Sequence, residues 1–224
     1  HFDARILGVT ATPDRLDKKA LGDTFDAVPY VYELADAIQD GWLVPIRQKV
    51  VEIETMDLGF VRTTSGDLNA HDLESAMTKP EILHGIARAT VESAGERRAL
   101  IFTPTIGYAQ VLGEIMGHWT DKSRVLALSG EDGSAERRGG VAAFRRGDVQ
   151  FLINCALFTE GFDVPEIALV SMARPTKSRA LYTQMIGRGT RTAPGKRDLI
   201  VLDFVGNAER HDLVSIIDIL GGGT

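Results

Sequence analysis

The chain has 224 residues, 44% of them hydrophobic and 25% charged, and a formal net charge of −6. That is an ordinary globular composition, and no run nears the roughly 18 apolar residues that a membrane span needs. The single cysteine, Cys155, excludes an internal disulfide framework and a cysteine-based zinc cluster.

The acid excess argues against indiscriminate polyanion binding, but local distribution matters more than the sum. From Arg174 to Arg197 the sequence holds Arg174, Lys177, Arg179, Arg188, Arg191, Lys196 and Arg197 with no acid among them.

The amino end, HFDARILGVTATPDR, has neither an initiator methionine nor a signal-peptide pattern and opens into a strand-like run at 5–9. It reads as part of a longer chain. Residues 34–39 predict a short helix, with Trp42 packed into the interior and Leu43 packing where the helix ends. RQKVVEIE (47–54) alternates like a strand, and the turn-rich stretch 55–75 predicts a loop or small hairpin insertion. Residues 80–94 begin with proline and space Ile82, Leu83, Ile86 and Ala87 for one helical face. Strands follow at 98–102, 124–128, 149–154, 168–173 and 198–204, with helices at 106–118, 134–146 and 178–188 between them. The terminal GGGT reads as a flexible tail. Continuous apolar runs suit strands buried on both faces, and their alternation with helices predicts an α/β fold. Its expected form is three layers, a mainly parallel sheet with helices on both faces and right-handed crossovers.

Parallel sheets of this kind place ligands beyond the carboxyl ends of their strands. FTPTIGYAQ sets Thr103 and Thr105 there, either to offer hydroxyls and amides to an anion or to cap the next helix. LSGEDG puts Ser129 and Gly130 in the same place after the next strand. LFTEGFDVPE follows with Thr159, Gly161 and Asp163, either a site or a polar turn that Pro165 ends. In YTQMIGRGTR, Arg188 and Arg191 stand three apart at a helix end, beside Gly187 and Gly189 and after Gln184. Two planar guanidinium groups suit a phosphate; the plainer use is to cap the helix end and pair with surface acids. Cys155 reads as a packed, inert thiol. The five histidines show no ligand spacing, and no metal site is predicted.

Taken in order, these motifs resemble the superfamily 2 helicases and translocases, motors with two RecA-like lobes. TATP (10–13) is similar to motif III, FTPT (102–105) to motif IV, and LSG (128–130) to the phosphate-contacting motif that follows. TEGFDVP (159–165) is similar to motif V, and QMIGRGTR (184–191) to the Q-x-x-G-R-x-x-R of motif VI. The resemblance runs from about Leu7 to Phe204. It implies ATP and Mg2+ held mainly by a preceding lobe, with Arg188 and Arg191 reaching across as arginine fingers. It places Gln184 near the phosphates, and Gly161, Asp163 and Gly187 where they hold the ribose or position the fingers. Thr103, Thr105, Ser129, Gly130 and Thr159 would contact a sugar–phosphate backbone, and Thr10 and Thr12 would couple hydrolysis to movement.

The phosphate loop G-x-x-x-x-G-K-[ST] is absent, since APGKRD (193–198) has Gly-Lys followed by Arg197 and no glycine five residues earlier. No Asp-Glu box follows an apolar strand. The implied division is therefore 1–25 as the end of a first lobe, 26–46 as a bridge and 47–224 as the second lobe. Such a piece would not hydrolyse ATP alone. TATP and the leading Gln184 are similar to the duplex-DNA branch, which implies DNA, duplex or single-stranded, in preference to RNA. Other implied features are the upstream lobe as partner, no membrane and a cytoplasmic setting. The rival expectation is a nucleic-acid-binding or regulatory RecA-like module without an ATPase role.

Overall fold

The computed structural model describes residues 7–9, 27, 30–155, 162–206 and 213–220. Its apolar runs become six strands of one parallel sheet: β1 (Ile46–Glu52), β4 (Arg98–Phe102), β5 (Val125–Leu128), β6 (Phe151–Asn154), β7 (Ile167–Met172) and β8 (Leu199–Val205). Their order is β1-β8-β7-β4-β6-β5. Every neighbouring pair is parallel. The strands in the middle, β7 and β6, are buried along their whole length, as continuous apolar sequence demands. The alternating RQKVVE segment instead forms β1 at the edge, where one face meets water.

Successive strand residues point to opposite faces, so each strand feeds two cores. Ala99 and Ile101 of β4 join one core with Leu73, Met77, Ile82, Ile86, Tyr108 and Leu112. Leu100 and Phe102 join the other with Phe144, Tyr182, Met185, Ile186, Ile216 and Ile219. Helices α2 (Ala70–Met77), α3 (Pro80–Ala94) and α4 (Ile106–Met116) supply the first face. Helices α5 (Ser134–Arg146), α6 (Arg179–Gly187) and α7 (Ile216–Leu220) supply the second. Pro80 opens α3 where its missing N–H costs nothing, and Gly147 ends α5 with the positive φ of 93° that glycine adopts without strain.

Two expectations need correction. Residues 7–9 form no strand, with Leu7 and Val9 exposed, while Thr10 and Thr12 lie outside the described residues. Trp42 is 72% exposed rather than interior. After α1 (Leu34–Gln39) the chain turns through Gly41, and Val44 takes the buried position instead. The 55–75 stretch contains the small hairpin, one of its two expected forms, and also the start of a helix. Strands β2 (Thr63–Thr64) and β3 (Asp67–Leu68) form a hairpin whose turn residues, Ser65 and Gly66, both have positive φ, and α2 follows. Asn69 caps α2 by accepting from the amides of His71 and Asp72.

Asp67 ties this insertion to the sheet. Its carboxylate accepts from Thr176 Oγ1 at 2.7 Å and from the Lys177 amide at 2.8 Å, in the loop that enters α6, with Arg174 Nη2 at 3.5 Å. Among the described residues no helix is long and apolar enough to cross a membrane. Replacing Asp67 with alanine strands a buried hydroxyl and an amide, so urea unfolding should show a loss of about 1–3 kcal/mol. An unchanged midpoint would mean that the hairpin does not brace the loop.

Candidate functional site

The carboxyl ends of β4, β5 and β6 lie side by side, and the structure shows what the hydroxyls there do. Thr103 is buried and donates to the Asn154 carbonyl at 3.0 Å, while Asn154 Nδ2 donates to the Ile101 carbonyl at 3.0 Å. Thr105 sits nearer the surface as the N-cap of α4, accepting from the Tyr108 amide at 3.1 Å. Ser129 is buried; its amide donates to the Asp132 carboxylate, and its hydroxyl accepts from the Glu131 amide at 3.2 Å. Gly130 is exposed with open space where a Cβ would stand, and its carbonyl accepts from Arg137 Nη1 at 3.3 Å. Thr105 and Gly130 are therefore the parts of this row that face outward. Cys155 is half-buried, donates weakly to the Pro104 carbonyl, and burial pushes its thiol pKa up. Thr159 and Gly161 lie outside the described residues.

A second cluster forms where α6 ends. Ser178 caps its start by accepting from the Leu181 amide at 3.2 Å. At the far end the Gly189 amide donates to the Ile186 carbonyl at 2.9 Å, and Thr190 Oγ1 donates to the Gly187 carbonyl at 3.0 Å. This tight finish turns the chain and delivers both arginines to one short segment. Arg188 Nη1 donates to the Phe162 carbonyl at 3.1 Å, and Arg191 Nη1 pairs with the Asp163 carboxylate. Arg145, from α5, donates to the Asp163 carbonyl at 2.6 Å. Phe162 is held from behind by stacking on Phe144, with centroids 6.3 Å apart. Gln184 stands on α6 one turn before Arg188.

The two glycines do different work. A Cβ on Gly187 would meet nothing within 4 Å, so open space does lie beside it. A Cβ on Gly189 would fall 2.5 Å from Leu199 Cδ1 and 3.1 Å from Val170 Cγ2, so that glycine serves close packing on β7 and β8, not approach by a ligand.

Three further groups reach this cluster. Arg145 offers no sequence signal, because its acceptor is backbone. The linker before β1 reaches the site as well: the Val44 amide donates to the Thr190 carbonyl at 2.8 Å, and Leu43 forms an antiparallel bridge with Arg191. Lys196 follows a Pro194-Gly195 turn closed by its own amide on the Ala193 carbonyl, with Gly195 at a φ of 76°. Its ammonium donates to the carbonyls of Pro165 at 2.8 Å, Gly189 at 2.6 Å and Arg191 at 2.7 Å. Burial lowers its pKa to about 8, against which Glu166 acts. The three acceptors oppose deprotonation too, because only the ammonium carries three donors.

The planar guanidinium groups of Arg188 and Arg191 fit phosphate oxygens, and the Arg191–Asp163 pair is open enough to exchange partners, at 45% and 58% side-chain exposure. Exposed pairs contribute only about 0–1 kcal/mol, so trading the carboxylate for a phosphate costs little. Among the described residues no three His, Cys, Asp or Glu side chains gather to hold a metal ion.

Comparison with known proteins gives the family and the fold. Residues 78–193 match the helicase conserved C-terminal domain. The chain is 33% identical over 222 residues to IRC3 of Saccharomyces cerevisiae, whose name describes an ATP-dependent helicase; the match covers 96% of this chain and 31% of that protein. It is 34% identical over 221 residues to irc3 of Schizosaccharomyces pombe, named as a mitochondrial ATP-dependent helicase, covering 95% and 36%. The chain thus spans about a third of these relatives. Among solved structures, a fragment described as an HsdR subunit of a type I restriction enzyme from Vibrio vulnificus superposes with a TM-score of 0.72 at 22% identity, covering 95% of this chain and 41% of that one. The six-stranded parallel sheet is the RecA-like fold.

The glycine geometry yields a paired test. Gly189→Ala should lower unfolding stability by about 1–3 kcal/mol through overpacking. Gly187→Ala, with open space around it, should leave stability unchanged or slightly raised, and equal effects in urea titrations would contradict the packing argument.

Proposed function

The chain belongs to the helicase conserved C-terminal domain family, and we propose that it is the second RecA-like lobe of an ATP-dependent DNA helicase or translocase. In that role Arg188 and Arg191 face the γ-phosphate of ATP bound by the preceding lobe. The observation that carries this reading is their convergence, with Asp163, on the segment before β7.

The chemistry follows from charge. As the γ-phosphoryl group transfers to water, negative charge spreads over its oxygens, and preorganised guanidinium donors stabilise it without reorganising at the moment of reaction. Asp163 holds Arg191 in place until a phosphate offers a stronger partner, and the Gly187 opening leaves room for the approach. Gln184, on the same helix, would stand near the phosphates, and Gly161 would help hold the ribose or position the arginines. No phosphate loop exists in this sequence. The triphosphate and its Mg2+ would therefore be held mainly by the preceding lobe, and this piece alone would not turn over ATP.

Nucleic-acid contact belongs to the ends of β4, β5 and β6. Thr105, Gly130 and Thr159 would meet the sugar–phosphate backbone, with buried Thr103 and Ser129 shaping the row from beneath. Backbone contacts of this sort position a strand without reading its bases, so little sequence preference is expected. Thr10 and Thr12 would couple hydrolysis to movement. Similarity to proteins named as ATP-dependent helicases supports the reading.

The test is ATP hydrolysis by the parent protein with and without duplex DNA, comparing the wild type with Arg191→Ala. Stimulated turnover should fall by about 10³-fold or more in the variant, the scale of an arginine finger, while DNA affinity stays unchanged. Retained turnover, or a parallel loss of DNA binding, would favour a nucleic-acid-binding module without an ATPase role.

A further inference from the structure

We infer that Lys196 is a positioning residue for the two arginines, a clasp whose single ammonium locks the motif that carries them onto the turn that follows Asp163. The inference rests on the proposed ATPase role of Arg188 and Arg191.

Three facts of geometry support it. The three acceptors come from two separate stretches: Pro165 from the turn before β7, and Gly189 and Arg191 from the segment that carries the guanidinium groups. An ammonium has three donors, and each goes to one of these carbonyls, at distances typical of charge-assisted bonds. The Gly189 and Arg191 carbonyls bracket Thr190, whose own carbonyl is taken by the Val44 amide. Consecutive carbonyls at 189, 190 and 191 are thereby held, two by Lys196 and one by the linker. This backbone has little freedom to drift, and neither do the arginines on either side of Gly189.

Lysine fits the task for a specific reason. The acceptors converge on one point, which suits the compact point charge of an ammonium; a planar guanidinium fork spreads its donors in a sheet and cannot meet all three. The Pro194-Gly195 turn brings that point charge back over the loop, since Gly195 supplies the left-handed φ the reversal needs. Displacing catalytic groups by about 1 Å is enough to cost around 10²-fold in rate. A clasp that fixes carbonyl positions beside both arginines acts on turnover, and the nucleotide affinity supplied by the preceding lobe is left alone.

The experiment uses the parent protein and single-turnover ATP hydrolysis with saturating duplex DNA, in wild type, Arg191→Ala, Lys196→Met and the double variant. Lys196→Met should slow hydrolysis by about 10-fold to 10²-fold, with affinities for a non-hydrolysable ATP analogue and for DNA unchanged. The double variant should be slowed by clearly less than the product of the two single effects, because part of the clasp's effect runs through Arg191 and only the part through Arg188 remains; a general structural defect would multiply in full. Lys196→Arg keeps charge and bulk, and its rate should fall between wild type and Lys196→Met; it carries the same test if the methionine variant does not fold. Wild-type rates in both lysine variants, or full additivity in the double variant, would overturn the clasp. If Arg191→Ala itself hydrolyses ATP normally, the ATPase reading fails first.

Discussion

The site depends on a few carbonyl oxygens meeting cations. Between β6 and β7 the chain crosses from one strand to another two places away, and residues 162–165 of that crossing belong to no strand or helix. They are held by Arg145 and Arg188 on backbone carbonyls, by Arg191 on the Asp163 carboxylate and by Lys196 on the Pro165 carbonyl. Hydrogen bonds from ionised donors are roughly twice as strong as neutral ones. They give an irregular segment a fixed place without the regular ladder that steadies a strand.

The rest of the architecture brings those cations together. Alternate strand residues build a core on each face of the sheet, and one face receives both α5, with Arg145 in its last turn, and α6, which Arg188 caps. The close seat of Gly189 on Leu199 and Val170 brings the arginine segment down onto the sheet. The linker before β1 pairs with Thr190 and Arg191, so the stretch that leads in from the amino-terminal side is hydrogen-bonded to the same backbone. A displacement of that linker and a displacement of Arg191 are consequently not independent. Such a connection would serve the proposed role as one of two lobes.

Much of the fold was legible in the sequence. Helices 80–94 and 134–146 were bounded correctly because Pro80 and Gly147 punctuate them, and 98–102 because its apolar run is bracketed by charge and hydroxyl. Strand ends elsewhere shifted by a residue or two; Arg124, for example, closes a short 3₁₀ turn before β5. Helix α2 escapes the sequence reading because it is only eight residues long and starts inside the turn-rich 55–75 stretch. Trp42 was misplaced because aromatic bulk usually goes inside, and here Val44 filled the buried position. Of the site, Arg188, Arg191 and Asp163 could be singled out because their residue types announce charge chemistry. Lys196 and Arg145 could not, since their partners are backbone carbonyls, which every residue carries and no side-chain pattern marks.

The most direct test of the account is a structure of the parent protein bound to duplex DNA and an ATP analogue that mimics the transferring phosphoryl group. Arg191 should leave the Asp163 carboxylate and stand, with Arg188, within hydrogen-bond distance of the γ-phosphate mimic, while Lys196 keeps its three carbonyls. Finding both arginines still on residues 162 and 163, with the phosphate mimic met by other groups, would contradict it.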